Sequence, residues 1–317
     1  MKAIIQTGYG SPDNFELRDL DKPEIMDSEV LVKVHSCSVN AGDVYVMRGV
    51  PRMVKITAGM PKPKMYIPGY DFAGIVEAVG SKVTRFQPGD EVYGGAQKTF
   101  AEYIGVKEKN LSMKPDKLSF EQAAAIPTAA VTALQGVKNA GKVEEGQKVL
   151  INGASGGVGT FAVQIAKAFG AEVTGVCSTR HKEMLHSIGT DHIIDYTEND
   201  FTKGTERYDL ILDQVANHSL AACRRVLTPK GKHIPNSGNS GLAYILKATI
   251  ASMFYRKQGG AYFAAPKRED LDFLNDLIAD RKLMPVIDKV FSLSDTVKAF
   301  HYMEEVHPSG KVVIKVQ

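Results

Sequence analysis

The sequence predicts an α/β protein in which a β-rich first third is followed by a doubly wound parallel sheet. Three observations predict it. The first third carries β-branched runs bounded by turn residues. From Lys148 onward, strand-like and helix-like segments alternate. Between the first of those strands and its helix lies a glycine cluster, Gly153-Ala154-Ser155-Gly156-Gly157-Val158-Gly159.

Val30–His35 and Gly74–Gly80 read as strands, with a turn at Gln87-Pro88-Gly89-Asp90. The stretch from Gly49 to Pro68 contains Pro51, Pro61 and Pro63 and reads as a mobile loop. Ser119 starts a helix, with Gln122 placed to complete a capping box. Lys148–Asn152 is a buried strand. After it, Val158, Phe161, Ala162, Ile165, Ala166 and Phe169 keep helical spacing until Gly170. Strands Glu172–Cys177, His192–Asp195 and Tyr208–Asp213 follow, with a helix from Arg180 to Ile188 stopped by Gly189. This β-α-β-α-β order requires parallel pairing. Asp270–Ile278 and Ser294–Met303 read as helices, the second capped by Ser294, and Val286–Phe291 and Lys311–Val316 as strands.

The chain has 317 residues, 44% of them hydrophobic, which suits two domains with large cores. A formal net charge of +3, without a basic block, argues against nucleic acid or a membrane surface as partner. The apolar run Leu242–Phe254 is broken by Lys247 and is too short to span a bilayer. Cys37, Cys177 and Cys223 form no Cys-x-x-Cys pair and point to a reducing compartment. The first residues lack the apolar stretch of a signal peptide, so the expectation is a cytoplasmic protein.

Glycines between a strand and a helix let the backbone turn tightly and bring bare N–H groups to a diphosphate at the helix start. Gly153, Ser155, Gly156, Gly157 and Val158 are therefore candidate cofactor-binding residues. An NAD site wants a carboxylate at the end of the second strand. Here stand Ser178-Thr179-Arg180-His181-Lys182, with no carboxylate before Glu183. Hydroxyls and cations suit the 2′-phosphate of NADPH, so Ser178, Thr179, Arg180 and Lys182 are assigned to it. The alternative is an ordinary basic helix start. Tyr196, just past the third strand, covers the same phosphate or the adenine, or is a surface tyrosine.

The segments Val39–Gly49, Ile67–Gly74, Gly89–Val92, Ala125–Ala133, Gly153–Gly159 and Gly310–Ile314 span nearly the whole chain in order. Together they resemble the medium-chain dehydrogenase/reductase superfamily and, within it, the zinc-free quinone oxidoreductases that include zeta-crystallin-like enzymes. The resemblance implies a GroES-like catalytic domain of residues 1–122 and 267–317, and a Rossmann NADP-binding domain of residues 123–266. Zinc-bearing members carry a Cys where this chain has Asn40 and a His-Glu pair where it has Tyr70-Asp71. They also have a four-cysteine lobe where Gly89–Val106 has no cysteine. Catalytic zinc needs such donors and an open position, so no metal is expected. The eight histidines form no metal pattern in the sequence.

Without a Lewis acid, hydride transfer from NADPH suits an acceptor that is already electron-poor, a quinone or an α,β-unsaturated carbonyl. The resemblance implies that Asn40, Asp43 and Tyr45 line the nicotinamide and substrate. Asn40 would donate to the substrate oxygen or a ribose, Tyr45 would hold the developing enolate or quinol oxygen, and Asp43 would orient its neighbours. Read alone, Asn40 and Asp43 equally build a turn before a helix. Tyr70 lines the pocket or simply packs. Thr128 bonds the carboxamide or ribose, or else its own helix backbone. The resemblance also places Val215, Ser237, Phe263 and Lys311 near the cofactor. Two other functions stay open: zinc-free NADP-dependent alcohol oxidation, and NADPH binding without catalysis. Tyr103-x-x-x-Lys107 has the spacing of a short-chain reductase pair, but it precedes the glycine cluster in a strand-like run and reads as structural. A homodimer is expected by analogy.

Overall fold

The computed structural model describes residues 1–50, 55–56, 59–63, 66–236, 241–254, 259, 264 and 266–317. The chain begins with β1 (Lys2–Gln6), β2 (Phe15–Asp19), β3 (Glu29–Val39), α1 (Ala41–Arg48), β4 (Asp71–Val79), β5 (Glu91–Gly95), β6 (Tyr103–Lys107) and β7 (Leu111–Met113). It continues through α2 (Phe120–Ala124), α3 (Pro127–Leu134), β8 (Lys148–Asn152), α4 (Gly157–Ala168), β9 (Glu172–Cys177), α5 (Lys182–Ser187) and β10 (His192–Asp195). Then come β11 (Tyr208–Asp213), α6 (Leu220–Arg225), β12 (Leu227–Pro235), α7 (Gly241–Phe254), α8 (Arg268–Ala279), β13 (Ile287–Ser292), α9 (Thr296–Glu305) and β14 (Lys311–Lys315). Among the described residues no helix is long and apolar enough to cross a membrane.

Two compact units divide the chain. The first comprises Met1–Ala129, Pro266–Ala279 and Pro285–Gln317. Its main sheet has the order β13-β14-β3-β4-β5-β7, with β6 also paired to β3. β3 is the hub: β14 takes Ser36–Val39 and β6 takes Glu29–Lys33, while β4 runs along the other edge. Val30, Val32 and Val34 alternate into the core with Phe72, Val92 and Phe100. Phe15 and Phe100 both stand edge-on to Phe300. The register of these strands sets the site, because it places Ser38 opposite Asp71 and Val39 opposite Val312. The end of β3, the start of β4 and the start of β14 therefore converge.

The second unit comprises Ala130–Ala265 and Asp280–Met284. Its five strands are all parallel, in the order β10-β9-β8-β11-β12. The strand order reverses between β8 and β11, the place where such sheets open a crevice at their carboxyl ends. Asn152 and Asp213 end those two strands in direct register. α4 buries Phe161, Ala162, Ile165 and Ala166 of the face read from its spacing, and Thr160, Val163 and Gln164 beside them, while Val158 and Phe169 are only partly buried.

The Ser119–Gln122 capping box forms, each backbone N–H meeting the other residue's side chain. Two helix starts differ from the sequence reading. The chain makes one 3₁₀ turn, Thr179–His181, before α5, and the Thr179 hydroxyl is pinned to Asp195 at the end of β10. α9 follows another such turn, Leu293–Asp295, whose cap is Ser292 rather than Ser294. The Ser294 hydroxyl pairs with that of Ser292 instead. Within the Gly49–Pro68 stretch, residues 51–54, 57–58 and 64–65 lie outside the described residues. All three cysteines are free and buried.

Candidate functional site

In the first unit the convergence of β3, β4 and β14 gathers a polar group inside an apolar core. Asp71, 0% exposed, is its centre. Its Oδ2 accepts from Ser38 Oγ at 3.1 Å and from Asn40 Nδ2 at 2.9 Å. Its Oδ1 accepts from the Thr128 backbone N–H at 3.0 Å and from Thr128 Oγ1 at 2.6 Å. Lys311, 3% exposed, donates from Nζ to Asn40 Oδ1 and lies 3.6 Å from Asp71 Oδ2. Burial pushes the Lys311 ammonium below its usual range, against the pull of Asp71 and Asp43. A buried charge is tolerable only when paired and hydrogen-bonded, and these two charges satisfy each other.

The cluster fixes Asn40. Its amide oxygen takes the lysine and one amide hydrogen goes to Asp71, so the amide cannot flip and, among the described residues, the second Nδ2 hydrogen is left to donate. Asn40 and Asp43 also build the start of α1, the Asn40 N–H donating to Asp43 Oδ2 at 2.8 Å. Burial pushes the Asp43 carboxyl up to about 7, with the hydrogen bond from Asn40 opposing it and the charge of Asp71 adding to it. Tyr45, half-buried on α1, has its phenol raised by burial. Tyr70 is 41% exposed, with its ring beside Gly95. Thr128 and Lys311, assigned from the sequence to the cofactor, both donate within this cluster.

In the second unit the glycine cluster forms a tight turn. Gly153 takes φ +84°, a conformation open to glycine. A Cβ on Gly159 would lie 2.1 Å from the Gly153 carbonyl oxygen, so only glycine lets α4 start this close to β8. Gly156 caps α4 in extended conformation, with Ser155, Gly157 and Val158 partly exposed beside it.

The end of β9 carries a charge that local sequence does not reveal. The sequence reading found no carboxylate there before Glu183, but β10 delivers one. Asp195 Oδ2 accepts from Thr179 Oγ1 at 2.6 Å and pairs with Lys182 Nζ at 2.8 Å. Its other oxygen accepts from the backbone and hydroxyl of Thr197. These bonds, Lys182 first, hold the Asp195 carboxyl well below the usual carboxylate range. Arg180 is exposed, its Nε 3.0 Å from His181 Nε2, and Tyr196 is 61% exposed. Ser178 precedes the 3₁₀ turn, partly buried.

Val215 lies in the turn after β11, its Cγ2 2.8 Å from where a Cβ of Gly153 would sit. Ser237 and Phe263 lie outside the described residues. Four residues were missed by the sequence reading: Asp71, Asp195, Asp213 and Tyr66. Asp71 opens an otherwise apolar run, and a lone acid there was the available signal. Tyr66 is raised to about 12 by burial and then by Asp43, Tyr70 and Tyr9 around it. Nor did spacing reveal that Asp213, Cys223 and His233 bring donor atoms within 4.8 Å of one another, all buried.

A family described as the alcohol dehydrogenase GroES-like domain matches residues 26–116, and one described as zinc-binding dehydrogenase matches residues 188–314. The chain is 34% identical to 2-methylene-furan-3-one reductase of Solanum lycopersicum, over 99% of this chain and 79% of that protein. It is 32% identical, over the same shares, to the chloroplastic NADPH-dependent alkenal/one oxidoreductase of Arabidopsis thaliana. The solved quinone oxidoreductase of Coxiella burnetii superposes with a TM-score of 0.90 at 31% identity, covering 100% of this chain and 99% of that one. A GroES-like domain, a Rossmann-type parallel sheet and likeness along the full chain make it an oxidoreductase of the medium-chain dehydrogenase/reductase superfamily, akin to the quinone oxidoreductases.

Proposed function

We propose that the chain transfers hydride from NADPH to a quinone or α,β-unsaturated carbonyl without zinc. The cluster of Asn40, Asp71, Thr128 and Lys311 carries this reading. It presents an amide, a hydroxyl, a carboxylate and an ammonium where zinc would need thiolate and imidazole. Both Asp71 oxygens are already filled by four donors. Burial holds the nearby Cys37 thiol protonated, and its Sγ is bonded to the Thr99 carbonyl. These residues do not fit a catalytic zinc ion.

A dinucleotide does fit the second unit. The Gly153–Gly159 turn leaves the start of α4 open, a Cβ on Gly156 meeting only one atom at 3.5 Å. The Gln214 amide nitrogen, buried beside that turn, has no partner among the described residues. Gly153, Ser155, Gly156, Gly157 and Val158 would hold the diphosphate on backbone N–H groups and the positive helix end. Ser178 and Arg180 would hold the 2′-phosphate, and Asp195 orients Thr179 and Lys182 there. When bound, the nicotinamide supplies the hydride. Asn40, held in one orientation, donates its remaining amide hydrogen to the oxygen on which charge develops, and Tyr45 supplies a second donor.

The test is turnover with NADPH and with NADH against a quinone, an enone and a secondary alcohol, followed by nicotinamide absorbance. Turnover confined to the alcohol would replace the proposed substrate class. Equal use of NADH would remove the phosphate assignment. The same reading carries a cytoplasmic homodimer, tested by sedimentation and by fractionation.

A further inference from the structure

At the carboxyl end of the parallel sheet, β8, β11 and β12 enclose a polar group that the hydride-transfer proposal does not use. His233 on β12 is 0% exposed. Its Nε2 lies 3.1 Å from Asp213 Oδ2, itself 0% exposed. Burial would raise the Asp213 carboxyl, but hydrogen bonds from His233, Ala216 and Asn152 hold it below its usual range. An ionised carboxylate only accepts, so the His233 Nε2 carries the proton in this contact.

The other Asp213 oxygen shapes the turn that follows. It accepts from the Val215 N–H at 3.2 Å, the Ala216 N–H at 2.7 Å and Asn152 Nδ2 at 2.8 Å. Ala216 is held at φ 56°, a left-handed conformation that a non-glycine residue keeps only when its surroundings enforce it. The turn in turn sets Val215 against Gly153, where a Cβ would come within 2.8 Å of Val215 Cγ2. A continuous path of contacts thus runs from His233 through Asp213 and Val215 to the first glycine of the cofactor turn.

We infer that His233 is a positioning residue for the dinucleotide: by donating to Asp213 it fixes the Gln214–Asn217 turn and, through Val215, the shape of the glycine cluster. The inference rests on the proposed nicotinamide reading. Asp213, His233 and Cys223 also have the spacing of metal donors. However, the carboxylate is already filled by four donors, and burial pushes the Cys223 thiol up to about 12. That favours a hydrogen-bonded clamp.

The experiment measures NADPH dissociation by calorimetry for the wild type and for His233→Leu, His233→Gln and His233→Asn. A glutamine amide reaches the place of Nε2, whereas an asparagine amide stops short of it. His233→Leu and His233→Asn are expected to bind about tenfold more weakly, as for one lost charge-assisted bond, and His233→Gln to restore affinity. The comparison of Gln with Asn stands even if the leucine variant does not fold. Equal affinity of the Gln and Asn variants would overturn the inference, and so would stoichiometric zinc whose chelation abolishes NADPH binding. A wild type that binds neither nicotinamide nucleotide would instead remove the underlying function.

Discussion

The Lys182 ammonium lies 2.8 Å from Asp195 Oδ2, the same oxygen that takes the Thr179 hydroxyl. One of the two cations at the end of β9 thereby pairs with a carboxylate, while Arg180 is exposed with its Nε 3.0 Å from His181 Nε2. Arg180→Ala is expected to weaken NADPH binding by about 1–3 kcal/mol and to leave NADH nearly unchanged. Calorimetric titration with both nucleotides checks this, and an equal loss for the two would remove Arg180 from the phosphate site.

Asp43 gives the fold a pH dependence of predictable sign. Its carboxyl is raised from 3.8 to about 7 by burial. Between those values the folded chain keeps a proton that the unfolded chain has released. Stability from this group is therefore complete below about pH 4 and declines as pH rises towards 7, by an amount on the order of a few kcal/mol. Asp43→Asn is expected to flatten that decline, and melting temperatures from pH 4 to 8 for both proteins would show it.

Asp71→Ala would strand the Lys311 ammonium in the core and leave Ser38, Asn40 and Thr128 with unmet donors. A loss of about 3–5 kcal/mol is expected, as for breaking a buried pair by removing one partner. Urea denaturation measures it. A loss below about 1 kcal/mol would mean that water enters and replaces the carboxylate.

Much of the fold was legible in the sequence because it rests on local patterns. The β-branched run of β3, the α4 spacing and the Ser119–Gln122 box each need only neighbouring residues. The glycine cluster was legible for the same reason. Asp71 and Lys311 are 240 residues apart, by subtraction of their numbers, and only the β14-β3-β4 register joins them. Likewise Asp195 reaches Lys182 because β10 lies beside β9, a pairing that no local pattern contains. Partners fixed by strand order, not by spacing, were the ones missed.

Gly159→Ala tests the close approach of α4 to β8. The added methyl would sit 2.1 Å from the Gly153 oxygen, in contact with backbone that cannot rotate away. The cost is expected to be about 1–3 kcal/mol of stability together with loss of saturable nucleotide binding. Native affinity in the variant would show that the turn tolerates another shape.

Treatment with a chelator is expected to leave quinone or enone reduction intact, since the Asn40–Asp71–Lys311 cluster has neither thiolate nor imidazole. Activity lost on chelation and restored by zinc would refute the metal-free reaction.

The three buried thiols bear on the same chemistry from another side. Conjugated carbonyls and quinones alkylate thiolates, and a catalyst that concentrates them risks modifying itself. Here Cys37, Cys177 and Cys223 are all enclosed, and burial raises the pKa of each thiol and so disfavours its thiolate. The folded protein exposes no cysteine thiol to such electrophiles, so it is expected to resist the alkylation that poisons enzymes with an exposed reactive thiol.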